Sequence, residues 1–229
     1  MSDNNSSPAP VSALEAIVEH VNATTPTAAA VARAVESARE YGIATPDAMT
    51  AATLTALANL ASARRDSHPA AVIASPAAGV VGLHVAAGIG EQGVLTCIDA
   101  ELEHQALAKE AFREGGIRPN RQRFLPSEPL EVMQRLAPEA YDFVYLDVAP
   151  TAIAAARAKA WPLLRSGGIM VIVGSLLDGT VEDDSRSDRD TVAAREADAA
   201  EVARADSADA DALLLRLPVA AGTTVLVKK

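Results

Sequence analysis

Residues 70–99 read AAVIASPAAGVVGLHVAAGIGEQGVLTCID, and this stretch decides the fold. The apolar run over 71–75 predicts a strand, Ser75 to Gly79 a turn of small residues, and 79–88 a helix. A second strand over 94–99 ends on an acid, Asp99. Strand, turn, helix and strand in this order make a βαβ unit, which brings the turn and the acid to the same edge of a parallel sheet. An adenosine-bearing cofactor lies across such strand tips. A carboxylate about twenty residues past the turn can accept both hydroxyls of its ribose. The alternative for Asp99 is to cap the helix that follows it. The turn carries Ser75, Ala77 and Gly79 where such sites often carry three glycines. At Gly79 a missing Cβ serves either close approach of a cofactor or close packing of the helix.

Outward from this unit, strands and helices alternate. A helix over 101–114, with Leu102, Ala106 and Ala108 as its apolar positions, ends at Gly115-Gly116. A strand follows over 121–125, then a helix over 129–136 and a strand over 143–148. Pro150 opens a helix that runs to 164, broken by Pro162. Ser166-Gly167-Gly168 turns into the strand 169–173. Continuous apolar runs rather than alternation predict strands buried on both faces, hence a parallel sheet. The end of the chain differs. After a helix over 190–204, two strands over 212–217 and 223–228 flank a connection too short for a parallel crossover, so they pair antiparallel. The expected fold is α/β: a doubly wound, mostly parallel, seven-stranded sheet whose reversed strand comes from a C-terminal hairpin.

Before the sheet come a Ser/Asn/Pro-rich start over 1–10, expected to be flexible, and a helical appendage over 11–66. Leu14, Ile17, Val18 and Val21 fall at helical spacing in a first helix over 11–21. Pro26 fits the first turn of a second helix, which carries Val31, Ala34, Val35 and Ala38 and stops near Gly42. Thr45-Pro46-Asp47 predicts a third start, with Thr45 as cap and Pro46 first in the helix, which presents Met49, Leu54, Leu57 and Leu60. These helices would cover the cofactor site or form a dimer surface.

A chain of 229 residues that is 49% hydrophobic buries a core large enough for one such domain. Its net charge of −10 argues against a nucleic-acid partner. No leader pattern or run of about 18 apolar residues is present, so a cytoplasmic protein with no membrane partner is expected. One cysteine, Cys97, inside an apolar strand, excludes a disulfide framework. The four histidines, His20, His68, His84 and His104, show no metal-ligand spacing and are read as surface or satisfied helix residues. Trp161 is read as core, and the acidic run 182–190 as a solvated loop.

Asp147, at the end of the 143–148 strand, must face solvent, a partner or a metal, since an unpaired buried carboxylate is costly. It is the candidate catalytic group. Glu128, after the third strand, can meet an adenine edge or sit as a charge at a helix N-terminus.

These residues together resemble the S-adenosylmethionine-dependent O-methyltransferases of the caffeoyl-CoA and catechol type, from about residue 43 onward. The family's acid-bearing glycine turn matches Ile73-Ala74-Ser75-Pro76-Ala77-Ala78-Gly79. Its ribose acid and following helix start match Thr96-Cys97-Ile98-Asp99 with Glu103-His104. Its "LPLLRPGG" turn matches Ala160-Trp161-Pro162-Leu163-Leu164-Arg165-Ser166-Gly167-Gly168. Later matches are Leu177-Asp178-Gly179-Thr180-Val181, the helix from Asp190-Thr191 to Arg195, and the hairpin from Leu217-Pro218-Val219 to Thr224. The resemblance implies a Rossmann-like domain, a homodimer, S-adenosylmethionine as cofactor and a small hydroxylated acceptor.

The same resemblance implies a set of cofactor contacts. Asp99 would hold the ribose, with Ala100 beside it. Ser75, Ala77, Gly79 and Val81 would meet the methionine end, and Ser127 and Glu128 the adenine edge. Ala44 and Asp147 would complete the contacts, Asp147 also lying beside the acceptor as a base. The family's metal site is not matched. Its lysine is Pro150 here, its second acid Ala149, and its Asp-Asn pair Val173 and Gly174. One carboxylate does not hold a hard divalent cation, so no metal ligand and no metal are expected. Two other readings stand beside transfer: a cofactor-binding protein without catalysis, and a nicotinamide-dependent oxidoreductase. The terminal hairpin and the missing G-x-G-x-x-G count against the oxidoreductase.

Overall fold

The computed structural model describes residues 12–63 and 68–229; the expectations for 1–10, and Val11 in the first helix, lie outside them. Three helices come first: α1 (Ala13–Thr24), α2 (Ala29–Glu40) and α3 (Ala48–Ser62). The alternating part follows as β1 (Ala70–Ala74), α4 (Ala78–Ile89), β2 (Val94–Ile98), α5 (Leu102–Glu114), β3 (Gln122–Leu125), α6 (Pro129–Met133) and β4 (Tyr141–Leu146). It continues as α7 (Ile153–Ala160), β5 (Leu164–Ile172), α8 (Arg189–Ala205), β6 (Ala212–Leu217) and β7 (Thr223–Lys228). The sheet has seven strands in the order β3-β2-β1-β4-β5-β7-β6. All pairs are parallel except those of β7, which runs antiparallel to both β5 and β6. The hairpin is the one expected from its short connection, and it supplies the reversed strand.

The strands alternate between two cores, as a pleated strand must. Ala71 and Ile73 of β1 join Leu54 and Ala58 of α3, Val85 of α4 and Phe112 of α5 on one face. Val72 and Ala74 join Met133 of α6, Ile153 of α7 and Ala197 of α8 on the other. Val31 and Ala34 of α2 join the same first core, so α2 and α3 form a layer over that face of the sheet. α1 has no buried residue, and its Leu14 and Ile17 stand 57% and 59% exposed. Its end is pinned by Asn22, which donates to the Asp47 carboxylate at 2.9 Å and accepts the Met49 N–H at 2.9 Å.

Several local expectations change. The cap of α3 is Asp47, whose carboxylate accepts the Thr50 N–H at 2.8 Å, so Thr45 and Pro46 lie ahead of the helix. Pro26 likewise precedes α2, which begins at Ala29. Leu60 and Leu102 are 65% and 70% exposed because each sits off the stripe its helix buries, and Ala106 is exposed too. In α5 the buried stripe is Gln105, Ala108, Ala111 and Phe112, at the helical repeat. The 150–164 helix divides into α7 and two flanking 3₁₀ turns, the second containing Pro162, and α6 stops at Met133. Residues 166–168 do not precede β5 but lie within it, where its register against β4 shifts between Tyr141 and Phe143. Trp161 is buried as expected, and the 182–190 run is exposed.

α4 lies between α3 and α5, and glycine makes both contacts possible. A Cβ on Gly79 would stand 3.1 Å from Ala108 Cα and 3.2 Å from Ala111 Cβ of α5. A Cβ on Gly88 would fall 2.4 Å from the Thr55 carbonyl of α3. The close seating of α4 fixes where its N-terminus opens at the tip of β1.

Candidate active site

β1 lies inside the sheet, paired with β2 on one side and β4 on the other, with Ala74 level with both Ile98 and Leu146. The next residues along the three strands are Ser75, Asp99 and Asp147. The strand register thus brings three of the predicted site residues to one crevice, at the carboxyl ends of parallel strands where ligands of such sheets bind.

Asp147 is anchored by its N–H, which donates to the Ala74 carbonyl at 2.9 Å. The Ser75 hydroxyl accepts the Ala77 N–H at 3.0 Å and donates to Asp147 Oδ2 at 2.8 Å. An ionised carboxylate only accepts, so the serine's hydrogen points to Asp147. Burial pushes the Asp147 carboxyl above the ordinary carboxylate range; the Ser75 hydrogen bond opposes this and the charge of Asp99 adds to it. The buried Tyr145 phenol is pushed far up by desolvation and by the Asp147 charge.

Asp99 is 9% exposed. Its Oδ1 accepts the Glu101 N–H at 2.7 Å, and its Oδ2 lies 3.0 Å from His104 Nδ1. The Leu125 carbonyl accepts from both Asp99 N–H at 3.4 Å and Ser127 N–H at 3.0 Å, which ties the segment after β3 to the tip of β2. Ser127 is half-buried there, while Glu128 and Ala100 are exposed. α4 begins after Ala77 with no side-chain cap. Its first-turn amides therefore have no partner within the helix and carry the positive end of its dipole.

The other predicted contact residues differ in how open they are to the crevice. Val81 is 0% exposed within the first core, so its side chain has no surface open to a ligand. Gly79 is buried, and the space its Cβ would need is taken by α5, so its glycine identity serves helix packing. Ala44 is exposed in the α2–α3 connection, with no hydrogen bond to the crevice among the described residues. Nothing in the chain order announces the bond of Ser75 to a residue 72 positions away. His104, expected as a surface or satisfied helix residue, is satisfied by Asp99, five residues before it and ahead of the same helix.

A divalent cation does not fit this donor set. Among the described residues no group of three or more His, Cys, Asp or Glu stands together. One Asp147 oxygen is committed to Ser75, and Val173 and Gly174 bring no side-chain oxygen. Of the remaining histidines, His84 is half-buried against the Thr55 hydroxyl, and burial lowers its pKa. Cys97 is buried, its thiol pushed up to about 12 by desolvation.

Comparison with known proteins gives the family. The O-methyltransferase family profile matches residues 74–229. A relative from Mycolicibacterium vanbaalenii, provisionally named an O-methyltransferase, is 40% identical over 183 residues, which is 80% of this chain and 79% of the relative. One from Mycolicibacterium smegmatis is 38% identical over 81% of this chain and 86% of its own length. A crystal structure from Corynebacterium glutamicum is 46% identical, with a TM-score of 0.86 over 95% of this chain and 97% of that one. An O-methyltransferase from Bacillus cereus, solved with S-adenosylhomocysteine, shares the fold at 16% identity, with a TM-score of 0.76 over 93% of this chain and 97% of that one. The chain belongs to the O-methyltransferase family.

Proposed function

We propose that the protein transfers a methyl group from S-adenosylmethionine to a hydroxyl of a small-molecule acceptor, without a metal ion. The observation that carries this is the meeting of Asp99 and the Ser75–Asp147 pair at adjacent strand tips. The residues fit such a cofactor at both ends. Asp99 keeps acceptor positions for the ribose hydroxyls, and the first amides of α4, including that of Gly79, face a carboxylate at a helix N-terminus. Ser127 and Glu128 border the base, Ala100 and Ala44 the outer wall, and Ser75 and Ala77 the methionine end.

The cofactor supplies an electrophilic methyl group on a sulfonium. What the chain supplies is position and charge. Asp147, held by Ser75 through one oxygen, uses the other to orient the acceptor hydroxyl and take its proton. The sheet edge and α4 hold the cofactor so that the acceptor oxygen stands in line. Mass-spectrometric detection of methyl transfer to catechol or another small hydroxylated compound, run in EDTA and in Mg²⁺, tests the reading. Equal rates support it; a strict Mg²⁺ requirement overturns its metal-free part.

One observation favours a second reading, a cofactor-binding protein without catalysis. Ile73, which matches the acid of the family's glycine turn, is apolar and fully buried, so its side chain offers the cofactor no acceptor. Saturable S-adenosylmethionine binding with no transfer to any acceptor would select it. As for partners, the exposed Leu14 and Ile17 of α1 and an open groove of about 930 Å³ between α2, α3 and α4 support a homodimer through the N-terminal helices. No described helix is long and apolar enough to cross a membrane; with the acidic charge, this supports a cytoplasmic protein that binds neither membrane nor nucleic acid.

A further inference from the structure

Asp99 is the residue on which cofactor recognition rests in the reading above, and its carboxylate is not free to turn. Two groups hold the carboxylate and a third holds the backbone carbonyl, all from one stretch of chain. The Glu101 N–H donates to Oδ1 at 2.7 Å, His104 Nδ1 stands 3.0 Å from Oδ2, and Gln105 Nε2 donates to the Asp99 carbonyl at 2.8 Å. A carboxylate only accepts, so Nδ1 carries the hydrogen of this contact. The Asp99 side chain is 10% exposed and that of His104 24%, so the bond is shielded while the ring edge reaches solvent.

We infer that His104 is a positioning residue for the cofactor: it fixes Asp99 so that the carboxylate meets the two ribose hydroxyls together. The inference rests on the S-adenosylmethionine reading and adds a residue to it. Each carboxylate oxygen can accept two hydrogen bonds. Glu101 takes one position on Oδ1 and His104 one on Oδ2, which leaves one on each oxygen for two neighbouring hydroxyl donors. With the imidazole gone, only the Glu101 amide orients the group, and the carboxylate turns about its Cβ–Cγ bond. Binding ribose must then also order it, and that cost appears as weaker affinity.

The competing explanation is that the Asp99–His104 contact only closes the first turn of α5. The two separate in calorimetric titration with S-adenosylhomocysteine, which binds without turnover. The full-length wild type is compared with His104→Ala, His104→Asn, Asp99→Asn and the double variant His104→Ala/Asp99→Asn. The side-chain amide of Asn can stand in for the Nδ1 donor. The inference predicts that His104→Ala weakens binding about tenfold, or about 1.4 kcal/mol, and that His104→Asn recovers most of the loss. It also predicts that His104→Ala has no further effect once Asp99 is Asn. Unchanged affinity in His104→Ala, or losses that simply add in the double variant, overturns the role of His104. Should His104→Ala not fold, His104→Leu removes both nitrogens at similar volume and is read the same way. A wild type that binds no S-adenosylhomocysteine overturns the cofactor reading instead, so the two failures are distinct.

Discussion

Asp147 is the residue at which the proposed chemistry converges, since its carboxylate lies at the crevice with one oxygen held by Ser75. If it takes the acceptor's proton, Asp147→Asn lowers methyl transfer by about 100-fold or more, while calorimetric affinity for S-adenosylmethionine changes far less. The pH dependence has a definite sign. A base must be ionised to act, and burial, aided by Asp99, holds this carboxyl above the ordinary range. The rate therefore falls as pH drops through a value higher than that of a solvent-exposed aspartate. Ser75→Ala removes the one interaction that opposes the shift, so the acid limb of the pH–rate curve moves to still higher pH. A limb at the position of a free aspartate, or one unmoved by Ser75→Ala, contradicts this assignment.

Among the elements, α4 is the one whose placement the site depends on, and glycine governs it. Gly88→Ala puts a methyl group where the Thr55 carbonyl stands; α3 or α4 must shift, at a cost of about 1–3 kcal/mol in denaturant unfolding. At the start of α3, Asp47 both caps the helix and receives Asn22 from α1. Asp47→Ala costs about 1 kcal/mol near neutral pH. Burial alone would raise the Asp47 pKa, but the hydrogen bonds from Thr50 and Asn22 outweigh it and the net shift is downward. A carboxylate with a lowered folded pKa stabilises the fold above its unfolded value. The difference between Asp47→Ala and wild type, followed by thermal unfolding, therefore shrinks as pH falls through the lowered range.

At the scale of the whole molecule, the architecture was legible and the fine contacts were not. The apolar runs at 71–75 and 143–148 gave a buried parallel sheet, and the short connection between 217 and 223 forced the reversed strand. These are statements about nearest neighbours along the chain. The Ser75–Asp147 bond joins residues that meet only through the β1–β4 register, and the packing role of Gly79 depends on α5 lying where Ala108 and Ala111 can approach. Asp47 displaced Thr45 as the cap because the Asp47 carboxylate reaches the Thr50 amide; both residues suit a cap, and only the start of the helix chooses between them. The hairpin is fastened by a contact no local pattern announces: Trp161 Nε1 donates to Asp211 at 2.7 Å, while Arg157 and Lys228 lie over its ring.

The central claim is that this sheet edge holds an S-adenosyl cofactor. Thermal unfolding in the presence of S-adenosylmethionine, S-adenosylhomocysteine or NAD(P) tests it most directly, because a ligand that binds only the folded state raises its stability. At 100 times its Kd that amounts to about 2.7 kcal/mol, or roughly 5–10 °C for a chain of this size. The account predicts such a shift with both S-adenosyl compounds, none with NAD(P), and a much smaller one in Asp99→Asn. No shift with either S-adenosyl compound, or an equal shift with NAD(P), contradicts it.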